Sequence, residues 1–201
     1  VKGNYLSALA MFSAVGITCL SLDIDLKIIL AGVLLGGLIG SLIAIKVKMT
    51  AIPEMVALFN GFGGLATFLI AWSQFNEPSN SVFQHVLIML TIYIGGITFS
   101  GSLIAYGKLS EKLKLGKGSM ITNIFISFFY LSMPALIYVV AEPSLSGLIP
   151  QVPSYFSIFL VLALVAGIGF VMPIGGGDMP VVISLLNSLS GIAAAFAGLL
   201  L

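Results

Sequence analysis

The chain has 201 residues, of which 59% are hydrophobic and only 7% are charged, and its mean hydropathy is +1.20. This number of polar side chains is too small to cover the surface of a soluble domain. The composition therefore predicts an integral membrane protein surrounded by lipid. The net charge of +1, with no arginine and no basic run, excludes nucleic acid as a partner.

Seven apolar segments are each long enough to cross a hydrocarbon core, which takes about 20 helical residues. They fall at 4–21, 25–46, 52–72, 82–106, 121–141, 152–173 and 178–201. Backbone groups that face lipid must bond internally, and the runs lack the alternation of a barrel strand, so the segments are expected to be helices. The predicted fold is therefore all-α, a polytopic transmembrane helical bundle with one domain over 1–201.

The distribution of lysine predicts the orientation of these helices. Seven of the eight lysines fall on one side of the membrane: Lys2, Lys46, Lys48, Lys108, Lys112, Lys114 and Lys117. The positive-inside rule makes that side cytoplasmic, or the matrix side in an organelle. The gaps around Glu77 and Glu142 are then outside, and the glycine triplet Gly175–Gly177 and Asp178 are on the cytoplasmic side.

Three predicted helices carry small and polar residues at three- and four-residue spacing, which places each set on one helix face. The sets are Asn60, Gly64, Thr67 and Ala71; Thr91, Gly95, Thr98, Ser102 and Ala105; and Ser184, Asn187, Ser188, Gly191, Ala195 and Gly198. Helix packing explains the serine, threonine and glycine positions well, because small residues let backbones approach. For Asn60 and Asn187, the lining of a path for ions or substrate and a role as interhelical glue both remain open.

Ionisable side chains are absent from the centre of every predicted segment. Glu54 comes nearest, six residues before Asn60 and hence about 9 Å along a helix axis. Its ordinary role would be a favourable interaction with the helix N-terminus. Asp178 follows the glycine triplet and could cap the last helix or report to a docked soluble domain. A proton carrier at the membrane centre would have to come from another chain or a missing segment.

Several catalytic signatures are missing from the sequence. It contains no P-loop, no metal-ligand cluster and no pairing of Cys or Ser with His. The stretch Gly167-Ile-Gly-Phe-Val-Met172 lacks the third glycine of a dinucleotide-binding motif and lies within an apolar segment. We therefore expect no cofactor and no metal in this chain, and no redox chemistry by the chain alone.

Three sequence blocks, at 46–66, 95–109 and 175–195, resemble the membrane domain of the beta subunit of proton-translocating NAD(P) transhydrogenase. The resemblance implies an enzyme that passes hydride between NADH and NADP⁺ in soluble domains while protons move inward through the membrane domain. It implies that other domains bind NAD(H) and NADP(H). The expected partners are an alpha subunit with an NAD(H)-binding domain and membrane helices, an NADP(H)-binding domain, and a second copy of the whole enzyme.

The resemblance also implies a location in the bacterial inner membrane or the mitochondrial inner membrane. Compared with the family pattern, this chain is expected to lack the first and last membrane helices of the subunit and its C-terminal NADP(H)-binding domain. The chain would then be a fragment of the subunit.

The resemblance assigns roles to five residues. It suggests that Asn187 and Ser102, together with Asn60, lie along the proton path, and that Asp178 belongs to the surface facing the NADP(H)-binding domain. Glu54 matches a family carboxylate near the start of its helix, with a role in coupling or at the path entrance. Many family members have a membrane-embedded His where this sequence has Asn60. An amide cannot titrate at physiological pH, so we predict that the partner subunit supplies that His.

Two other functions remain as alternatives at this point. A secondary transporter could use the polar faces as a substrate path, but it would be expected to show an internal repeat or broken helices, and none is convincing here. A purely structural membrane subunit would use Asn60 and Asn187 only to join helices.

Overall fold

A computed structural model of the chain describes residues 2–21, 25–75, 81–113 and 153–200. These residues form six α-helices and two 3-10 turns, with no strand among them, so the all-α prediction is confirmed. The helices are α1 (Lys2–Ser21), α2 (Leu26–Lys46), α3 (Ile52–Phe75), α4 (Val82–Leu109), α5 (Pro153–Val171) and α6 (Met179–Leu200), and the turns are Met49–Ala51 and Gly176–Asp178.

Six of the seven predicted helices are present at nearly the predicted positions. The remaining prediction, 121–141, lies outside the described residues. Helices α3 and α4 each continue three residues beyond the predicted 72 and 106. Their last turns contain polar residues such as Gln74 and Lys108, which an apolar pattern does not reveal but which a helix end accommodates readily.

The helix starts carry the expected local signals. The Asp25 side chain caps α2 by accepting a hydrogen bond from the Lys27 N–H at 2.9 Å. Helix α4 begins with a capping box, in which Ser81 accepts from the Gln84 N–H and the Gln84 side chain accepts from the Ser81 N–H. Each pairing satisfies backbone donors that a helix start leaves free.

Five helical stretches are long and apolar enough to cross a membrane, counted over the described residues. They are Lys2–Leu20, Leu26–Lys46, Met49–Phe75, Phe83–Leu109 and Gly176–Leu200, and Phe159–Val171 is a shorter apolar helix. The chain divides into two compact units, Val1–Lys48 and Met49–Leu201. In the first unit, α1 and α2 expose most of their apolar side chains, as helices in contact with lipid or other membrane helices do.

Helix α4 is the centre of the second unit and packs against α3, α5 and α6. Its buried face supplies much of the core, and Phe159 from α5 and Leu186 from α6 pack against that face. Large side chains that are almost fully buried are Ile88, Met89, Ile92, Phe159, Met179, Leu186 and Val171. The second unit therefore places the polar positions of α4 between its neighbours.

Glycines set the distance between α3 and α4. Gly64 and Gly95 face each other so closely that a Cβ on Gly64 would lie 2.8 Å from the Gly95 carbonyl oxygen. A Cβ on Gly95 would lie 2.9 Å from the Gly64 carbonyl oxygen. This is the close backbone approach that small residues permit between membrane helices. It brings the polar side chains one to two turns away into hydrogen-bonding range.

Candidate functional site

Three helices bring polar side chains together in a polar cluster, defined here as Asn60 of α3, Ser102 of α4 and Ser190 of α6. The Asn60 Nδ2 donates to the Ser102 Oγ at 3.0 Å. The Ser190 hydroxyl donates to the Asn60 Oδ1 at 2.9 Å. Both ends of the Asn60 amide are thus bonded to neighbouring helices, which is what an amide in an apolar environment requires.

The Ser190 hydroxyl has a second acceptor in reach. Its Oγ lies 2.8 Å from the Asn187 carbonyl oxygen as well as 2.9 Å from the Asn60 Oδ1. A serine hydroxyl carries one hydrogen, so that hydrogen is shared between the two acceptors or alternates between them. The polar cluster therefore has two hydrogen-bonding arrangements that need no movement of the backbone.

The polar cluster is enclosed on its α4 side. Ser102 is 1% exposed, and a Cβ on Gly61 would lie 3.2 Å from the Ser102 Cβ. Asn60 and Ser190 are half-buried. The cluster can donate to and accept from water or a hydrogen-bonding ion, but none of its three side chains titrates near neutral pH. It can line or orient a proton path and cannot store the proton.

The predicted polar faces of α3 and α4 pack against each other. Gly64, Thr67 and Ala71 are buried on α3, and all five predicted positions are buried on α4. The stripe on α6 behaves differently. Ser184, Asn187, Ser188, Gly191, Ala195 and Gly198 do share one face, but that face is exposed, and α6 packs through Val182, Ile183, Leu186 and other apolar residues.

Asn187 itself does not join the polar cluster through its side chain. The residue is exposed, and its side chain makes no hydrogen bond to another described residue. Only its backbone carbonyl reaches Ser190. The structure thus brings two of the three predicted path residues, Asn60 and Ser102, into contact, and it places the Asn187 amide on the neighbouring face of α6.

Asp178 lies at the end of the glycine-rich loop, defined here as Gly175–Asp178. The residue is exposed, and its backbone N–H donates to the Gly175 carbonyl at 3.1 Å. Its carboxylate makes no hydrogen bond to a described residue, so the capping alternative finds no support. A free, exposed carboxylate at the start of α6 remains available to a partner.

Glu54 lies in the first turn of α3, where its negative charge interacts favourably with the partial positive charge of the helix N-terminus. It is half-buried and six residues from Asn60, about 9 Å along the axis. His85 lies in the first turn of α4, at the end of that helix far from Ser102, with its Nδ1 3.0 Å from the Ser81 carbonyl oxygen. Neither side chain hydrogen-bonds to the polar cluster.

Sequence reasoning missed two residues, and each carried a signal. Ser190 follows Asn187 by three residues, a spacing that reaches the same side of a helix turn. In the sequence Lys108 serves only to predict orientation, yet in the structure it is 8% exposed. Its Nζ donates to the carbonyls of Val171, Met172 and Ile174, where α5 ends. A lysine in the last turn of an apolar helix was the available signal.

Nothing in the described part of the chain forms a group of three or more His, Cys, Asp or Glu side chains that could hold a metal ion. The polar groups of the cluster are neutral amides and hydroxyls. Their chemistry suits hydrogen bonding, to one another and to water.

Apolar helices that surround a hydrogen-bonded polar cluster define the class, a polytopic helical membrane protein with a polar interior. The family model described as NAD(P) transhydrogenase beta subunit matches residues 1–201. The chain belongs to this family, which confirms the resemblance seen in the sequence blocks.

Curated relatives agree with the family match. The NAD(P) transhydrogenase subunit beta of Rhodospirillum rubrum is 35% identical over 209 residues, covering 98% of this chain and 43% of the relative. The same protein from a named strain of that organism gives the same figures. The chain therefore spans less than half the length of the relatives that it matches.

Proposed function

We propose that this chain is the proton-translocating membrane part of an NAD(P) transhydrogenase. Hydride would pass between NADH and NADP⁺ in soluble domains that bind both nucleotides, while protons move inward through the membrane part. The observation that carries the proposal is the polar cluster of Asn60, Ser102 and Ser190 between three apolar helices. Family membership gives that cluster its functional meaning.

Thr98 supports a path that extends beyond the polar cluster. It lies one helical turn before Ser102 and is fully buried, and its Oγ1 has no hydrogen-bond partner among the described residues. A buried hydroxyl without a partner is a group that an internal water molecule satisfies. We infer that water continues along α4 from Ser102 towards Thr98.

The proton carrier at the level of the polar cluster is proposed to be a His on a membrane helix of an alpha subunit. Asn60 stands where many family members have that His, and an amide does not titrate. Glu54 and Lys108, the nearest carboxylate and lysine on α3 and α4, are six residues from Asn60 and Ser102 respectively. A carrier from the partner would meet hydrogen-bonding groups already in place.

The glycine-rich loop is proposed to be the place where nucleotide binding in the soluble domain acts on the membrane helices. Asp178 is exposed there and immediately precedes α6, the helix that carries Ser190, so a contact at the loop acts directly on α6. We propose that the NADP(H)-binding domain docks at Asp178, that Glu54 lies at the path entrance, and that the Asn187 side chain lines the path on the exposed face of α6. Coupling then requires two conformations that nucleotide binding favours differently.

Location and assembly follow from the same proposal. The enzyme would lie in the bacterial or mitochondrial inner membrane, with the lysine-rich ends and the glycine-rich loop on the cytoplasmic or matrix side. Two copies of the whole enzyme would form a dimer.

The direct test is the change Asn60→Leu in the complete enzyme reconstituted in vesicles. Leucine removes both hydrogen bonds and takes from the buried Ser102 hydroxyl its Asn60 donor, at a cost of about 1–3 kcal/mol, while Ser190 keeps the Asn187 carbonyl as its acceptor. A loss of that size in the rate-limiting step lowers the proton translocation rate by roughly 5-fold to 150-fold. A pH-sensitive dye inside the vesicles measures proton movement, and NADP(H) binding is measured in parallel.

The matched control is Leu58→Ile, a substitution of similar volume on the same helix, which should leave proton movement within about twofold of the wild type. Unchanged proton movement in Asn60→Leu would remove the polar cluster from the path. A wild-type enzyme that transfers hydride without moving protons would contradict the proposed function as a whole.

A further inference from the structure

Lys108 makes an unusual set of contacts at the end of α4. Its Nζ donates to the carbonyl oxygens of Val171 at 3.1 Å, Met172 at 2.5 Å and Ile174 at 2.6 Å. An ammonium group has three donors, and these three bonds use all of them. The acceptors belong to the last turn of α5 and the residues that follow it, where a helix leaves carbonyls unpaired and carries partial negative charge.

The ordinary role of a lysine at the end of a membrane helix is to reach water with its charged group. Lys112 behaves in this way. It is exposed, and its Nζ lies 3.2 Å from the Tyr106 hydroxyl. Lys108 is only 8% exposed, and no carboxylate forms an ion pair with it within the described ranges. Its charge is therefore balanced by the backbone carbonyls at the end of α5.

These contacts fall immediately before the glycine-rich loop. Ile174 is the last residue before Gly175, and added Cβ atoms on Gly175, Gly176 and Gly177 would meet nothing within 4 Å. Among the described residues, therefore, nothing packs against the glycine positions. Within these residues the loop is held by its internal bond from the Asp178 N–H to the Gly175 carbonyl and at its two ends, by Lys108 at Ile174 and by the buried Met179 at the start of α6.

The loop and the polar cluster are connected through two routes that meet on α4. One route runs from the loop along α6 to Ser190 and across Asn60 to Ser102. The other runs from Ile174 through Lys108 and six residues along α4, about 9 Å, to the same Ser102. The glycine-rich loop is therefore connected to Ser102 both through α6 and through α4.

We propose that Lys108 is a positioning residue that ties the start of the glycine-rich loop to α4, so that displacement of the loop changes the separation of Ser102 and Ser190 at Asn60. Without this tie, the loop could move while α4 stayed in place, and its displacement would reach the polar cluster only through α6 and Ser190. The inference rests on the proposed function, since it concerns how nucleotide state reaches the proton path.

The test compares Lys108→Met with Lys112→Met in the complete enzyme. Methionine keeps most of the length and apolar volume of lysine and removes the three donors. Hydrogen exchange is followed at the N–H groups of Ile174 and Asp178, which donate to Val171 and Gly175. Proton movement per hydride transferred is followed in vesicles.

We expect Lys108→Met to speed exchange at Ile174 and Asp178 roughly tenfold or more, and to lower the number of protons moved per hydride by at least about threefold while hydride transfer continues. Lys112→Met should leave both readouts unchanged. Lys108→Arg, which keeps the charge but spreads its donors over a planar fork, should give intermediate values and serves if the methionine variant does not fold.

Unchanged exchange in Lys108→Met would overturn the inference, because the loop would then be held by something else. Faster exchange with unchanged protons per hydride would overturn it as well, since the tie would have no part in coupling. If the wild-type enzyme moved no protons, the proposed function would fail, and the inference would fail with it for that separate reason.

Discussion

At the scale of single residues, the polar cluster depends on one amide that is bonded on both sides. Asn60 donates to Ser102 through its amide nitrogen and accepts from Ser190 through its amide oxygen, so each serine bonds to a different atom of the amide. Ser190 also reaches the Asn187 carbonyl. The loss of Ser190 would therefore free the Asn60 oxygen while the Asn60–Ser102 bond stays intact.

Two serines on α6 allow this contribution to be isolated. Ser190→Ala leaves the half-buried Asn60 Oδ1 without its donor, and we expect proton translocation to fall roughly tenfold, consistent with an unsatisfied acceptor costing about 1–3 kcal/mol. Ser188→Ala removes only a hydroxyl that donates to the Ser184 carbonyl at 3.2 Å. It should stay within about twofold of the wild type. Equal effects of the two changes would contradict a specific role for Ser190.

At the scale of helices, the site depends on how closely α3 and α4 approach. Gly64 and Gly95 lie at the closest point, and the Asn60–Ser102 bond lies about one turn away. If the two helices moved apart by even the width of a methyl group, that hydrogen bond would lengthen beyond its useful range. The packing of α3 against α4 and the geometry of the polar cluster therefore depend on the same contact.

Two adjacent glycines on α3 allow the effect of this contact to be distinguished from the general effect of replacing a glycine in a helix. Gly64→Ala would place a Cβ 2.8 Å from the Gly95 carbonyl oxygen, so we expect a lower melting temperature and weaker proton translocation, with overpacking costing about 1–3 kcal/mol. Gly63→Ala meets nothing within 4 Å and should be neutral or stabilising, because alanine favours helix by up to about 1 kcal/mol. Thermal unfolding in detergent measures both; a stable Gly64→Ala enzyme would contradict the close approach.

At the scale of the whole molecule, the C-terminal end of α4, with Lys108 and the following Lys112, and the glycine-rich loop lie at the same end of the second unit. Lys108 of α4 contacts the residues just before the loop, so the second unit places these two features at the same end. The orientation that the lysines predict for this end, cytoplasmic or matrix, remains a prediction about the membrane.

Cysteine labelling checks that orientation. With Cys19 replaced by Ser, we expect Gly177→Cys to react with a membrane-impermeant maleimide only from the cytoplasmic or matrix side. Glu77→Cys should react only from the opposite side, because the positive-inside rule places the two gaps on different faces. The Cys19→Ser chain without an added Cys controls for background. Labelling of both positions from one side would show that the lysine rule misassigns this chain.

The missing proton carrier is also a question about the whole assembly. We expect the membrane helices of the alpha subunit to include a His that reaches the level of Asn60, because no residue of the polar cluster titrates. Replacement of that His by Ala should abolish proton translocation and leave NADP(H) binding intact. A partner sequence with no His in its membrane helices would contradict the assignment directly.

The sequence alone determined the fold class and most helix bounds. A helix that crosses a membrane must bond its own backbone and present an apolar surface, so its length and composition can be read from the chain. The same periodicity placed Asn60, Gly64, Gly95 and Ser102 on helix faces that do meet. The sequence blocks also indicated the family that the full-length match confirmed.

The tertiary structure decided which polar faces meet and which ends are tied together. Periodicity shows that six residues of α6 share a face, but it does not show whether that face turns towards α3 and α4, and here it does not. Ser190 joins the polar cluster and the Asn187 side chain does not, because the packing of apolar residues such as Leu186 sets the rotation of α6. Lys108 likewise has the sequence position of an interfacial lysine, and only the packing of α4 against α5 brings the end of α5 within reach of its Nζ. Contacts between residues distant in sequence depend on how whole helices pack, and the spacing of residues along a single helix does not determine that packing.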